Sequence, residues 1–378
     1  MKILFLTTHY PPNNTGAAVV MKNLIKGIDK SLVGGVITHA NTFNDDKETN
    51  DSIEIFYIFH IAQLFNIRIQ YFIRYILFYF ELRKINKIVI EKKITHLVTV
   101  YPDLDFLELG LKCSKKFPDI KFIPYLHDTV YEGLKNRFFS KRAFKVQNEI
   151  LKEKNILVMS DGMKDLFKRK YNVKTTPILH SFNEEIKYKD FNLSDSKNSV
   201  FWGGSIYSIN KNSALRIHKS TKKYNTNLKL SSANKESNLI KMGFDKEFFE
   251  ILPFLSRNKY LKLLSEQKAL LLGIDFPDES SIDEDELSTI FPTKTIEYLI
   301  SGKPIIAHCP ENYFLSKFLK ENNCALVVNT RDEDKMSEVI NDYLNNESLM
   351  KKQIENAYET AKNFKAKNVR NKFMNQIL

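Results

Sequence analysis

Short apolar runs recur along this chain with room for a helix between them, and that rhythm constrains the fold more than any other feature. KILFLTT, LVGGVITH, IEIFYIF, HLVTVY, KFIPYLH, NILVMS and TTPILH form a first series. SVFWGG, NLKLSS, FFEILPF, KALLLGI, KPIIAH and CALVVN form a second. Longer amphipathic segments stand between them, such as AAVVMKNLIKGI directly after Gly16. Strands alternating with helices predict an α/β fold.

A chain of 378 residues is too long for one ordinary core. The polar stretch FNEEIKYKDFNLSDSKNS separates the two series, so we expect two doubly wound domains. The expected boundaries are 1–183 for an N-terminal domain, 184–198 for a linker and 199–360 for a C-terminal domain. Residues 361–378 are expected to form a last helix that crosses back to the first domain. The start, MKILFLTTHY, carries no signal-peptide cleavage pattern and reads as a first strand. Cys113, Cys309 and Cys324 are odd in number and lack C-x-x-C spacing. That argues against a disulfide framework or a zinc site and fits a reducing cytosol.

The formal net charge is +12, and residues 1–183 carry ten of those surplus positive charges. Within them, residues 53–93 are dense in Phe, Tyr and Ile, with Arg68, Arg74, Arg83, Lys84 and Lys87 interleaved. Charge interrupts the segment too often for a transmembrane span. Two readings remain: a helix lying on an anionic membrane surface, or a core helix with a basic outer face. No nucleic-acid-binding signature accompanies the aromatic residues, so nucleic acid is not an expected partner.

In open α/β sheets, ligands bind beyond the carboxyl ends of the strands, so the loops there are where chemistry is sought. The loop YPPNNTGAA ends at Gly16, whose missing side chain allows close backbone approach at a helix start. His127 and Asp128 follow the run KFIPYL and should stand on a crevice rim, either as a structural pair or as a sugar-binding histidine and a helper. Gly203, Gly204 and Ser205 follow the run SVFW, and Lys211 opens the next helix. Glycines for close approach plus a mobile cation suit a diphosphate. The motif is neither a Walker loop nor G-x-G-x-x-G, which disfavours dinucleotide cofactors.

The fourth loop, FPTKTIEYLISGKPIIAH, carries the strongest local signal. Pro292 suits a first helical turn, whose free N–H groups attract an anion. Thr293 and Thr295 add hydroxyls and Lys294 a cation, while Glu297 is one turn on and can accept from a vicinal diol such as a ribose. Gly302 caps the helix. D-x-D patterns occur at Asp103–Asp105 and Asp283–Asp285, but the second lies in the acidic run DESSIDEDEL, read as a solvated loop. No metal site is expected.

Taken in order, YPPNNTGAA, LHD, VMSDGMKDLF, ILHSFN, FWGGSIYSINKN and PTKTIEYLISGKPIIA resemble the retaining glycosyltransferases of the family-four type. The resemblance implies a GT-B fold, two Rossmann-like domains facing each other across a cleft, and a nucleotide-diphosphate sugar as substrate without a cofactor. It implies that Gly16 lies near donor phosphates and acceptor, that His127 meets the donor sugar, that Lys211 steadies the diphosphate and that Glu297 holds the ribose. Two positions depart from the pattern. Ser205 stands where an Arg is common, and Thr289 stands where the first acid of a glutamate pair is usual. The implied acceptor is a glycan, lipid-linked and destined for a surface polysaccharide such as capsule or lipopolysaccharide, which places the chain in the cytoplasm and at the inner face of the membrane. The rival readings are a sugar-nucleotide 2-epimerase on the same fold and a catalytically degenerate membrane-associated scaffold.

Overall fold

A computed structural model describes residues 1–8, 10, 16–39, 53–58, 67–135, 138–185, 198–253 and 255–378, with the side chains of 67–72 left out. The loop residues Pro11, Pro12 and Thr15, positions 59–66 of the aromatic segment and most of the stretch read as a linker lie outside the described residues.

The chain forms two compact units, one of residues 1–181 with 366–378, the other of residues 182–365. The first contains a seven-stranded sheet: β1 (Ile3–Leu6), β2 (Val33–His39), β3 (Ile55–Ile58), β4 (His96–Tyr101), β5 (Lys121–Leu126), β6 (Leu157–Val158) and β7 (Thr176–Pro177). Its order is β3-β2-β1-β4-β5-β6-β7, every pairing parallel. All six residues of β4 are buried, which is what a parallel strand covered on both faces requires. The helix Leu104–Lys116 that follows is set by Asp103, whose carboxylate accepts from the Asp105 and Phe106 amides, and Lys115 and Lys116 complement its other end. The last helix, Ala366–Ile377, gives Val369, Phe373 and Ile377 to this unit's core. Phe373 stacks on Phe5 with centroids 6.2 Å apart.

The second unit has six strands: β8 (Ser199–Gly203), β9 (Asn227–Ser231), β10 (Phe249–Leu252), β11 (Ala269–Gly273), β12 (Ile305–His308) and β13 (Leu326–Val328). Their order is β10-β9-β8-β11-β12-β13, again all parallel. Trp202 of β8 lies in register with Leu230 on one side and Leu271 on the other. Strand order reverses at β8/β11 here and at β1/β4 in the first unit. Ligands of such sheets bind outside the carboxyl ends of the strands at that reversal. The ends concerned are Gly203 and Gly273 in the second unit, and Leu6 and Tyr101 in the first.

One local reading of the sequence needs correcting. The acidic run is not simply a solvated loop: Pro277–Glu279 and Glu284–Leu287 are helical turns, and Glu286 and Leu287 are buried. The aromatic segment holds the short strand β3 and, from Ile67 to Glu91, one long helix. Among the described residues no helix is long and apolar enough to cross a membrane.

Candidate active site

At the end of β8 the chain turns sharply on Gly204, whose φ of 99° is left-handed territory open to glycine. The turn is pinned on both sides. The Gly204 amide donates to the Ser231 carbonyl at 2.8 Å, and Asn234 exchanges two hydrogen bonds with the backbone of Ile206. The Gly203 amide donates to the Tyr298 hydroxyl at 2.9 Å. Tyr298 is fully buried in the helix Lys294–Leu299, so this bond ties that helix to the strand end.

The tie brings Lys294 over the glycines. A Cβ placed on Gly204 would lie 3.3 Å from Lys294 Cε and 3.7 Å from its Nζ; one on Gly203 would lie 3.2 Å from Lys294 Cδ. No carboxylate pairs with Lys294 or with Lys211 among the described residues. Lys211 is the first residue of the helix Lys211–Lys222, which leaves the same end of the sheet. A half-exposed cation, Lys294, thus stands over a side-chain-free turn at the β8/β11 reversal, and a second, Lys211, begins the helix that leaves the same end of the sheet.

The backbone amides of that longer helix are already committed. Asp275, buried directly after β11, accepts from the Ser213 amide at 2.7 Å and from the Asn212 amide at 3.0 Å. Burial raises the Asp275 carboxyl against the pull of those bonds. Of this helix start, only the Lys211 side chain is left to meet a ligand.

Glu297 sits one turn beyond Lys294 and is held by Arg257, whose Nη1 contacts Oε1. Arg257 Nε also binds Glu184 at 2.6 Å. Burial works against the Arg257 charge, but Glu297 and Glu184 outweigh it and keep the guanidinium above its ordinary value. Tyr260, one turn along from Arg257, places its buried hydroxyl beside Gly203, where burial and then the neighbouring Tyr298 and Glu297 raise it. Thr293 precedes the helix, half exposed, without a side-chain cap bond. Thr295 differs from expectation: it is fully buried, and its hydroxyl has no partner among the described residues. It faces inward because it shares a helix face with Tyr298 and Leu299. Ser205 is exposed, and its carbonyl accepts from Asn210.

Gly16, His127 and Asp128 belong to the first unit. Gly16 begins the helix Gly16–Ile25. His127 follows β5, its amide donating to the Tyr101 carbonyl at 3.2 Å and its ring set edge-on to Tyr125. Asp128 next to it is exposed. The Asp103–Asp105 pattern is structural. Asp103 pairs with His39 at 2.7 Å, and Asp105 is held by Arg74 and by Arg142, the latter at 2.6 Å. Among the described residues no group of His, Cys, Asp and Glu is arranged to hold a metal.

Sequence reasoning missed Arg257, Tyr260, Tyr298, Asn234 and Asp275. Asp275 follows an apolar run directly, so the rule that singled out His127 and Asp128 would have found it too.

No protein-family model and no curated protein matches the chain. Solved structures do. Sucrose-phosphate synthase from Thermosynechococcus elongatus superposes with a TM-score of 0.75 at 12% identity, over 99% of this chain and 97% of that one. HepE of Anabaena in complex with UDP gives 0.71 at 13% identity, over 99% of both chains. A glycosyltransferase from Rickettsia africae gives 0.64 at 15%, over 99% of this chain and 97% of that one. The fold is GT-B. At these identities the likeness concerns architecture, two Rossmann-like units in one GT-B chain, and the site residues rest on their own geometry.

Proposed function

We propose that the chain is a retaining glycosyltransferase that moves a sugar from a nucleotide-diphosphate donor to a glycan acceptor, lipid-linked and on the cytoplasmic side of a membrane. The observation that carries this reading is the placement of Lys294 across the Gly203–Gly204 turn at the β8/β11 reversal, with Glu297 one turn away. A turn without side chains admits a diphosphate to the backbone, and Lys294 beside it, with Lys211 at the start of the following helix, would meet its charge, neither having a carboxylate partner among the described residues. Glu297, anchored by Arg257 through one oxygen, has a second oxygen to accept from ribose hydroxyls.

In the reaction the bond from the anomeric carbon to the diphosphate oxygen breaks, and a bond to the acceptor hydroxyl forms on the same face. The departing nucleoside diphosphate takes the acceptor proton. Lys294 and Lys211 stabilise the negative charge that builds on it, and no protein nucleophile is assigned. HepE was solved with UDP and with UDP-glucose, and an Anabaena protein of the same fold holding those ligands supports a nucleotide sugar as donor here.

The test is a panel of nucleotide sugars and nucleoside diphosphates, read by thermal shift and by sugar transfer. One diphosphate should raise the melting temperature of the wild-type chain, and Glu297→Ala should lose that shift and the transfer while remaining folded. Full activity in Glu297→Ala would remove the donor-site assignment, and the absence of any shift across the panel would leave the fold without this function.

A further inference from the structure

The helix Ile67–Glu91 turns an unusual face to solvent. Its inner side buries Ile85, Ile88 and Val89 in the core of the first unit. On the outer side, where a surface helix ordinarily carries polar residues, stand Tyr75 (76% exposed), Ile76 (47%), Tyr79 (60%) and Phe80 (58%). Spacing of one, three and four residues makes these one continuous patch. The next turns of the same face carry Arg83, Lys84 and Lys87, all exposed. Of the acids on this helix, Glu91 is exposed and pairs with Lys87 at 3.6 Å, while Glu81 is on the inner side and half buried, its carboxyl raised to about 7 by burial and then by neighbouring Asp105.

Beside the patch is a cavity of about 340 Å³ between this helix and the helices Leu104–Lys116 and Ser140–Ile150. Tyr75 and Phe78 form one wall; Arg74, Lys112, Lys141, Arg142 and Lys145 line the rest together with Asp105 and Glu108, which pair with Arg74 and with Lys112 respectively. Asp105 and Glu108 occupy Arg142. Lys141 and Lys145 are exposed and have no carboxylate partner among the described residues. Phe144, between them in sequence, is 48% exposed.

We infer that this surface docks on an anionic phospholipid bilayer, the rings of Tyr75, Tyr79 and Phe80 entering the headgroup layer and the lysine-lined cavity receiving a lipid phosphate. Amphipathic rings settle at the level of lipid headgroups, and each nearby cation adds attraction to an anionic leaflet. A convex helix face with rings and cations side by side complements such a surface; the readers of unpaired bases stack them on sheet faces or in grooves. The inference stands on this surface alone and goes beyond the proposed function, because lipid binding is read without any nucleotide sugar.

The experiment is co-sedimentation of the full chain with large vesicles, either phosphatidylcholine alone or an equimolar mixture with phosphatidylglycerol. Binding to the mixed vesicles only, weakening as salt is raised, is the expected result. The combined variant Tyr75→Ser, Tyr79→Ser, Phe80→Ser should lose binding. Lys141→Gln with Lys145→Gln should lower the partition by about fivefold per lysine. All these side chains are exposed, so both variants should melt close to the wild type, which separates lost docking from lost folding. The inference is overturned by binding that ignores phosphatidylglycerol or survives the variants. It is equally overturned if free glycerol phosphate competes fully, if an RNA oligonucleotide binds in place of the vesicles, or if the face proves to be a contact between copies, seen as lipid-free self-association that the aromatic variant abolishes.

Discussion

Arg257 and Glu297, forty positions apart in sequence, form an ion pair that fixes the carboxylate one turn along the helix from Lys294. The same guanidinium holds Glu184 through Nε at 2.6 Å. Bridging two carboxylates from different nitrogens needs the planar fork of arginine; lysine has one nitrogen to offer. Arg257→Lys should therefore keep most of the stability yet loosen Glu297, raising KM for the donor several-fold with a smaller effect on kcat. Arg257→Ala should also cost about 1–2 kcal/mol of stability, a figure kept low because the pair is partly exposed. Steady-state kinetics with donor varied, alongside urea unfolding, checks both. An unchanged donor KM in Arg257→Ala would mean that the pair serves folding only.

Gly204→Ala tests the turn. Its φ of 99° strains any side chain, and the new Cβ would press on Lys294 Cε at 3.3 Å. A loss of about 1–3 kcal/mol in unfolding free energy is expected from the backbone alone. Moving Lys294 should in addition weaken the thermal shift given by nucleoside diphosphates. A variant that is destabilised but keeps the full ligand shift would show that this turn does not meet the ligand.

Lys294 and Lys211 make the opposite prediction. Neither has a carboxylate partner among the described residues, so removing their charge should hardly alter stability. Lys294→Ala should lower kcat/KM by about 10²–10³, the usual scale for losing a group that stabilises developing negative charge, while its melting temperature stays within a degree or two of the wild type. Lys211→Ala should do likewise. Loss of folding together with activity would instead assign these lysines to packing.

How much of this was legible beforehand depended on range. The inner parallel strands β4 and β11 are buried on both faces, so HLVTVY and ALLLG stand out as largely apolar runs, and the α/β reading followed from such runs. The turn after β8 was visible because two adjacent glycines after an apolar run have few other uses. The Arg257–Glu297 pair was not visible, since it joins residues 40 positions apart with no local pattern marking it; Asp275 stood in plain view after an apolar run, but its partner Ser213, 62 positions away, did not. Thr295 was misjudged for a similar reason: a hydroxyl near a helix start was expected at the ligand, but three-residue spacing from Tyr298 turns it into the core. The aromatic segment was noticed for its composition, whereas which of its faces meets solvent is decided by the core it packs on.

Acid should destabilise the second unit through two buried histidines. His218 is pushed down to about 4 by burial, with Lys222 adding to it and Asp245 opposing; its Nε2 accepts from the Asp245 amide at 2.9 Å. His308 is pushed down to about 4 by burial, and its Nε2 meets the Thr330 carbonyl at 2.9 Å. Protonating His218 would set a ring N–H against the Asp245 N–H, so the folded chain resists the proton. Above pH 6.5, the ordinary histidine value, neither state is protonated and the contribution is complete. As pH falls toward about 4 the unfolded chain takes up protons that the folded one refuses, and stability declines. Each histidine accounts for up to roughly 3 kcal/mol across that window. Urea unfolding of the second unit between pH 7 and 4 should show the decline, and His218→Gln, which keeps an acceptor but does not titrate, should make it shallower by one proton. A wild-type stability that is flat over that range would mean that these rings are already charged in the fold.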